Sequence, residues 1–166
     1  DDVVYRGPIT VEDVDVPAFR APAALAGQEE AIAAALVEAL QQASAGSGLL
    51  ITTEQPAAGE TYSTIYIGGT GTPFAGYGEF WGLSEKVDAG NADRGDKAFV
   101  FSDAIPLDTS SVSVYAAGLA GYVAHEAGHL LGFEHAHTVA DGDDPLAEVA
   151  FQPHTHVEIA KDVRDD

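Results

Sequence analysis

The sequence predicts an α+β protein in which a mixed β-sheet packs against two long helices. Three observations predict this class: short β-branched segments bounded by Gly and Pro, two longer segments with helical features, and their interleaved order along the chain. The chain has 166 residues, of which 46% are hydrophobic, so it can bury a substantial core. No internal repeat or long linker divides the sequence. We therefore expect a single domain, residues 1–166.

The helices are predicted from periodicity and from their end signals. Residues 28–48 begin with acidic residues and end at glycines. Residues 109–132 begin in a Ser/Thr-rich segment suited to capping and form a longer helix. A short C-terminal helix is expected at 155–163. The first helix carries apolar residues at every fourth position, which are Ile32, Leu36 and Leu40.

The strands are predicted from alternation and from β-branched or continuously apolar segments. Residues 76–87 contain glycines and charges typical of an edge strand, whereas 97–103 is continuously apolar and typical of a central strand. The glycine-rich stretch 68–78 is not a phosphate-binding loop, because it lacks the Gly-Lys-Ser/Thr ending and no helix follows it. The other predicted strands are 9–19, 49–55 and 63–69.

The charge is strongly acidic, with 27 Asp and Glu against 7 Lys and Arg, a net charge of −20. Such a surface disfavours nucleic acid and anionic membranes as partners, and no apolar run reaches the roughly 18 residues of a membrane span. Two explanations remain: solubility in saline surroundings, which the even spread of acids favours, and calcium binding by loop carboxylates. The candidate calcium ligands are Asp141, Asp143 and Asp144, although their spacing is not that of a complete calcium loop.

The absence of cysteine restricts the chemistry that a metal site can use. Without cysteine there is no disulfide and no thiolate ligand, so imidazole and carboxylate must hold any metal. Residues 1–25 lack the features of a signal peptide, so the protein is intracellular or a signal or pro-segment has been removed. The acidic composition favours the second explanation. We expect a secreted, extracellular monomer.

One segment of the second predicted helix concentrates metal-binding side chains: VAHEAGHLLGFEHAH, residues 123–137. His125 and His129 are four positions apart, so a helix places both imidazoles on one face, one turn apart. Two such nitrogens can bind one zinc ion at about 2.0–2.1 Å. Glu126 points about 100° round the helix from His125 and can reach a metal-bound water without being a ligand.

The residues that follow supply a chain reversal and a third ligand. Gly132 can adopt positive φ, end the helix and bring His135 back to the same metal, leaving the fourth zinc position open for water. The alternative is a helix whose histidines merely pack or face solvent. This alternative is much less favoured, because five positions of the pattern match at once. His137 is a less favoured ligand because the spacing from Gly132 suits His135. Of the remaining candidates, Tyr122 is expected in the core, and the residues expected to be exposed are His154 and His156.

The stretch HEAGHLLGFEH, residues 125–135, matches H-E-x-x-H-x-x-G-x-x-H and resembles the signature of the metzincin zinc peptidases. The layout of the chain is most similar to the matrixin-like branch. The resemblance implies a zincin catalytic domain with a twisted five-stranded mixed sheet and an antiparallel edge strand along the substrate groove, which corresponds to 76–87. The family is named for a methionine beneath the zinc, and this chain has no methionine. Leu146 and Val149 are the candidates to replace it.

Motif and resemblance together predict a zinc-dependent endopeptidase, a hydrolase of peptide bonds. One zinc ion would be held by His125, His129 and His135, and Glu126 would be the general base for the zinc-activated water. The substrate would be a protein or peptide in extended conformation, paired with the edge strand near 78–86. The alternative is a non-catalytic zinc- or calcium-bearing binding module derived from a peptidase, against which the intact glutamate argues.

Overall fold

The computed structural model describes residues 3–135, Leu146 and residues 150–151. Over this part of the chain the protein is α+β, with two α-helices, a four-stranded mixed sheet and a separate two-stranded hairpin. The predicted fold class is therefore confirmed, whereas the prediction of five strands in one sheet is wrong for the described residues. The helix predicted at 155–163 lies outside them.

The hairpin and the main sheet use different parts of the chain. Strand β1, Val3–Arg6, pairs antiparallel with β2, Thr10–Val14. In the main sheet the order is β3-β5-β4-β6, with β3 parallel to β5 and with β4 antiparallel to both of its neighbours. These four strands are β3 (Thr64–Ile67), β4 (Gly82–Ser84), β5 (Lys97–Val100) and β6 (Ala150–Phe151).

Two predicted strands differ from the structure, one in whether it forms and the other in its partner. The segment 49–55 forms no strand, and its Leu50 is 89% exposed. The β-branched residues of this segment suit a strand, but the segment has no buried face to pack against a sheet. The segment 9–19 contains β2, but β2 pairs with β1 in the hairpin instead of joining the main sheet. The sequence did not predict β1. The prediction at 63–69 is confirmed by β3, and the central position predicted for 97–103 is confirmed by β5.

The predicted edge strand 76–87 is shorter than expected and is not at the edge. Only Gly82–Ser84 is strand, and it is antiparallel, as the resemblance implied. On the side away from β5, Gly82 pairs with Phe151 and Leu83 pairs with Ala150. The short strand β6 therefore takes the edge position, because pairing with β4 satisfies backbone groups that would otherwise face solvent.

The two helices pack together on one face of the main sheet. Helix α1, Glu29–Ala43, buries the three apolar residues that its sequence places four apart, as predicted. Helix α2, Val112–Leu130, starts at Ser111, whose side chain accepts a hydrogen bond from Val114 N at 3.5 Å. Within the described residues, no helix combines the length and the apolar character needed to cross a membrane.

The core has two parts because successive residues of β5 point to opposite faces of the sheet. Val100 faces the helices and packs with residues such as Leu36 and Leu119. Phe99 faces the other way into an aromatic cluster with Phe74 and Tyr5. The hairpin thus covers the face of the sheet that the helices leave open.

Candidate metal centre

The last two turns of α2 carry the first three residues of the motif. His125 is half-buried, whereas His129 is 2% exposed and Glu126 is completely buried. The helix packs against β4 and β5, so these side chains lie at the boundary between helix and sheet. The predicted helix therefore places both histidines one turn apart, as their spacing requires.

The helix ends in a Schellman turn that Gly132 makes possible. Its N–H donates to the carbonyl of His129 at 2.9 Å, and Phe133 N–H donates to the carbonyl of Gly128 at 2.9 Å. These are the two hydrogen bonds of that motif, and Gly132 has the left-handed φ of 92° that it needs. The predicted reversal after α2 is confirmed, and it returns the chain towards the helix at His135.

The three histidines converge through their Nε2 atoms. His125 Nε2 lies 3.2 Å from His129 Nε2 and 2.9 Å from His135 Nε2. Ligand nitrogens about 2.0–2.1 Å from a tetrahedral metal ion would be about 3.3–3.4 Å apart, so the observed spacing is close to that of a metal site. The three residues could hold a metal ion, and they are the one such group among the residues that the structure describes.

Hydrogen bonding and burial prepare two of these rings as ligands. His129 Nδ1 lies 2.8 Å from the carbonyl oxygen of Phe133. Because a carbonyl can only accept, Nδ1 carries the proton and Nε2 presents its lone pair to the centre of the cluster. Burial, followed by repulsion from His129 and His135, lowers the pKa of His125 to about 3. His125 is therefore neutral at physiological pH, as a metal ligand must be.

Glu126 lies between the helix and strand β4. Its carboxyl group packs against Gly82, where an added Cβ would come within 2.4 Å of Oε1. The Glu126 carboxylate also lies near the hairpin residue Tyr5. Burial raises the pKa of the Tyr5 hydroxyl, and the nearby carboxylates of Glu126 and Glu85 raise it further. The Tyr5 hydroxyl donates to the carbonyl of Ser84 at 3.0 Å, so the hairpin is attached to the strand that flanks Glu126.

The loop between β4 and β5 supports the end of α2. Asp88 N–H donates to the carbonyl of His129 at 2.9 Å, and the Asp88 side chain accepts from Asp93 N–H at 2.8 Å. Gly132 is packed so closely against this loop that an added Cβ would lie 2.8 Å from Ala89 Cα. No sequence pattern predicts this support, because it joins segments that are far apart in the chain.

Two of the other candidate residues, Leu146 and Tyr122, lie in the part of the chain that the structure describes. Leu146 is fully buried in the cluster on the hairpin side of the sheet, so it is a core residue. Tyr122 is half-buried at the margin of the helix-side core, where it packs edge-on against Trp81 with ring centroids 5.6 Å apart, so it is less buried than predicted. The candidates outside the described residues are His137, Asp141, Asp143, Asp144, Val149, His154 and His156.

Comparisons of the chain with family models, with curated proteins and with solved structures found no match. The interpretation of the site therefore depends on its sequence pattern and on its geometry.

Proposed function

We propose that the protein is a zinc-dependent endopeptidase of the metzincin type. The observation that carries the proposal is the convergence of three Nε2 atoms, from two turns of one helix and from the chain that returns after Gly132. A structural zinc site uses four protein ligands, whereas three protein ligands and one open position are the arrangement of a catalytic site. A buried glutamate beside the first histidine adds the base that hydrolysis needs.

The ligand set favours zinc among the common metals. Imidazole is a good ligand for zinc, while calcium and magnesium take oxygen ligands, and this chain has no thiolate to offer. When bound there, zinc supplies Lewis acidity and lowers the pKa of a coordinated water to about 7. The hydrogen bond from His129 Nδ1 to the Phe133 carbonyl holds that ring with its Nε2 towards the other two histidines, where it would bind the ion.

Glu126 is the proton carrier in the proposed mechanism. It accepts a proton from the attacking water as the carbon–oxygen bond forms, and it delivers that proton to the amide nitrogen as the carbon–nitrogen bond breaks. Complete burial of Glu126 keeps bulk water away from the carboxyl group, and the contact with Gly82 holds that group against the sheet.

The proposed substrate is a peptide in extended conformation, but the structure narrows where it can pair. The expectation was strand addition near 78–86, yet the outer side of Gly82 and Leu83 already pairs with β6. Backbone groups that are paired on both sides cannot accept another strand. The parts of the expected stretch that lie outside this pairing are 78–81 and 84–86. Exposed Phe133, beside the ligands, offers an apolar contact for a substrate side chain.

The occupied side of β4 favours one alternative, a non-catalytic zinc-bearing module derived from a peptidase. The comparison of wild type with Glu126→Gln and His129→Ala separates the two functions. If the protein is a peptidase, Glu126→Gln should keep about one zinc per chain and lose about 10²–10⁴-fold in hydrolysis of an unfolded protein such as casein. His129→Ala removes a ligand, so zinc content and hydrolysis should fall together.

Each outcome of this experiment has a definite meaning. Full zinc with unchanged hydrolysis in Glu126→Gln would contradict the role of Glu126. Full zinc in the wild type without hydrolysis of several unfolded substrates would favour the binding module. No zinc in protein purified with zinc present would contradict both.

A further inference from the structure

Gly82 lies where the carboxyl group of Glu126 needs space. It is buried in the short strand β4, and a Cβ added to it would lie 2.4 Å from Oε1, 2.8 Å from Cδ and 2.9 Å from Cγ of Glu126. Cβ atoms in proteins essentially never come within 3.0 Å of another group. The carboxyl group therefore occupies the volume that any side chain at position 82 would fill.

Backbone conformation does not explain the glycine. Gly82 is in a regular strand and is not among the glycines with positive φ, so an alanine could adopt its dihedral angles. Glycine is otherwise unfavourable inside a strand, where it often marks the close approach of another group. The approaching group here is the Glu126 carboxyl.

The strand cannot move away from a side chain placed at this position. Gly82 is paired with Val100 on one side and with Phe151 on the other. Its strand neighbours Leu83 and Ser84 are both fully buried. Since the backbone is held on both sides, the carboxyl group is the part that would have to shift.

We propose that Gly82 is a positioning residue for Glu126, setting the place of its carboxyl group through the absence of a side chain. The inference rests on the proposed function, in which Glu126 moves the proton. A shift of about 1 Å in a reacting group can cost on the order of 10²-fold in rate, so a single methyl group at this position should act mainly on turnover.

The first test is Gly82→Ala, measured for zinc content, kcat, KM and the pH dependence of kcat. Zinc content should stay at that of the wild type, because the three histidines are untouched. The value of kcat should fall about 10–100-fold with little change in KM, and the acidic limb of its pH profile should shift as the carboxyl group changes surroundings. In the cobalt-loaded protein, the pH midpoint of the visible spectrum should also shift.

Two glycines of α2 provide matched controls. A Cβ at Gly118 would lie 2.8 Å from Leu107 Cδ2, so Gly118→Ala introduces a similar clash away from Glu126. It should lower the melting temperature without changing the pH profile or the cobalt midpoint. A Cβ at Gly121 has nothing within 4 Å, so Gly121→Ala should leave the pH profile and the cobalt midpoint as in the wild type and should not lower the melting temperature.

A stability cycle tests the contact without any activity. In a Glu126→Ala background the carboxyl group is gone, so adding Gly82→Ala should cost much less stability than it does in the wild type. The cycle remains decisive if the wild type shows no hydrolysis, in which case only the proposed function fails. Equal costs in both backgrounds, or a Gly82→Ala protein with wild-type kcat and pH profile, would overturn the inference.

Discussion

The Nδ1–H of His129 donates a hydrogen bond to the carbonyl oxygen of Phe133, 2.8 Å away. Phe133 directly follows Gly132, so the turn that returns His135 to the site also fixes the ring of the preceding ligand. The His129 carbonyl in turn accepts hydrogen bonds from both Gly132 and Asp88. His129 therefore takes part in three contacts: the one that orients its ring, the one that closes the turn after the helix, and the one that joins the helix to the β4–β5 loop.

The first prediction concerns the stability of the metal-free protein at low pH. Burial and the two neighbouring histidines lower the pKa of His125 to about 3, from the 6.5 of an unperturbed histidine. Between these values the unfolded chain binds the proton and the folded chain does not. The free energy of unfolding should therefore fall as the pH drops below about 6.5 and be independent of this residue above it.

Urea unfolding of the metal-free wild type and of His125→Gln, at several values from about pH 8 to about pH 5, checks this expectation. The variant should lose less stability across that range, because it lacks the histidine that must stay neutral. Parallel curves for the two proteins would show that His125 protonates as readily in the folded chain as in the unfolded one.

The second prediction concerns Gly132→Ala. The left-handed φ of 92° and the close contact with the 88–90 loop both oppose a side chain there. The backbone conformation alone should cost about 1–2 kcal/mol, and zinc affinity should fall because His135 is displaced. Denaturant unfolding and metal titration measure the two effects. Gly121→Ala, inside helix α2 and facing open space, should instead be neutral or gain up to about 1 kcal/mol.

The third prediction concerns Glu85, which joins the hairpin to the main sheet. Its two carboxylate oxygens accept from Arg6 N–H at 2.9 Å and from Lys97 N–H at 2.8 Å. Glu85→Ala leaves both partly buried donors without this acceptor, at about 0.5–1.5 kcal/mol each, whereas Glu85→Gln retains one acceptor oxygen. The order of stability should be wild type, then Gln, then Ala.

Denaturant unfolding checks that order. Exposed Glu12 on β2 is a suitable control, because Glu12→Ala removes the same charge and should change stability by less than about 0.5 kcal/mol. A Glu85→Ala protein as stable as Glu12→Ala would show that the carboxylate does not hold the hairpin in place.

The fourth prediction concerns salt. With a net charge of −20, the folded chain repels itself, and screening by sodium chloride should raise the melting temperature. Micromolar to millimolar calcium should have no larger effect than sodium at matched ionic strength if the acids serve solubility. A much larger rise with calcium would show specific calcium binding, and no rise with either salt would contradict the screening explanation.

The histidine cluster was predictable because its information is local. His125 and His129 lie on one helix, and Gly132 follows that helix at a position where the turn needs a left-handed backbone conformation. The buried face of α1 was also predictable, because the apolar residues Ile32, Leu36 and Leu40 recur every four positions. Such patterns follow from helix geometry and need no knowledge of distant contacts.

The errors came from pairings between distant segments. Nothing in the residues of β4 shows that β6 will pair with it, and the apolar residues at 49–50 are exposed although their types suit a strand. The contact of Gly82 with Glu126 is of the same kind. In the sequence Gly82 is one glycine among 18. Only the folded structure shows that it lies against the Glu126 carboxyl group.

The packing of Gly132 against the 88–90 loop also limits how the histidine cluster could be moved to another protein. The helix and the turn after it contain all three histidines, so they look like a transferable unit. The turn, however, fits only against backbone supplied by the loop, and the His129 carbonyl takes one of its hydrogen bonds from Asp88. A graft should therefore include the β4–β5 loop with the helix, since the smallest transferable centre is a pair of segments that are distant in sequence.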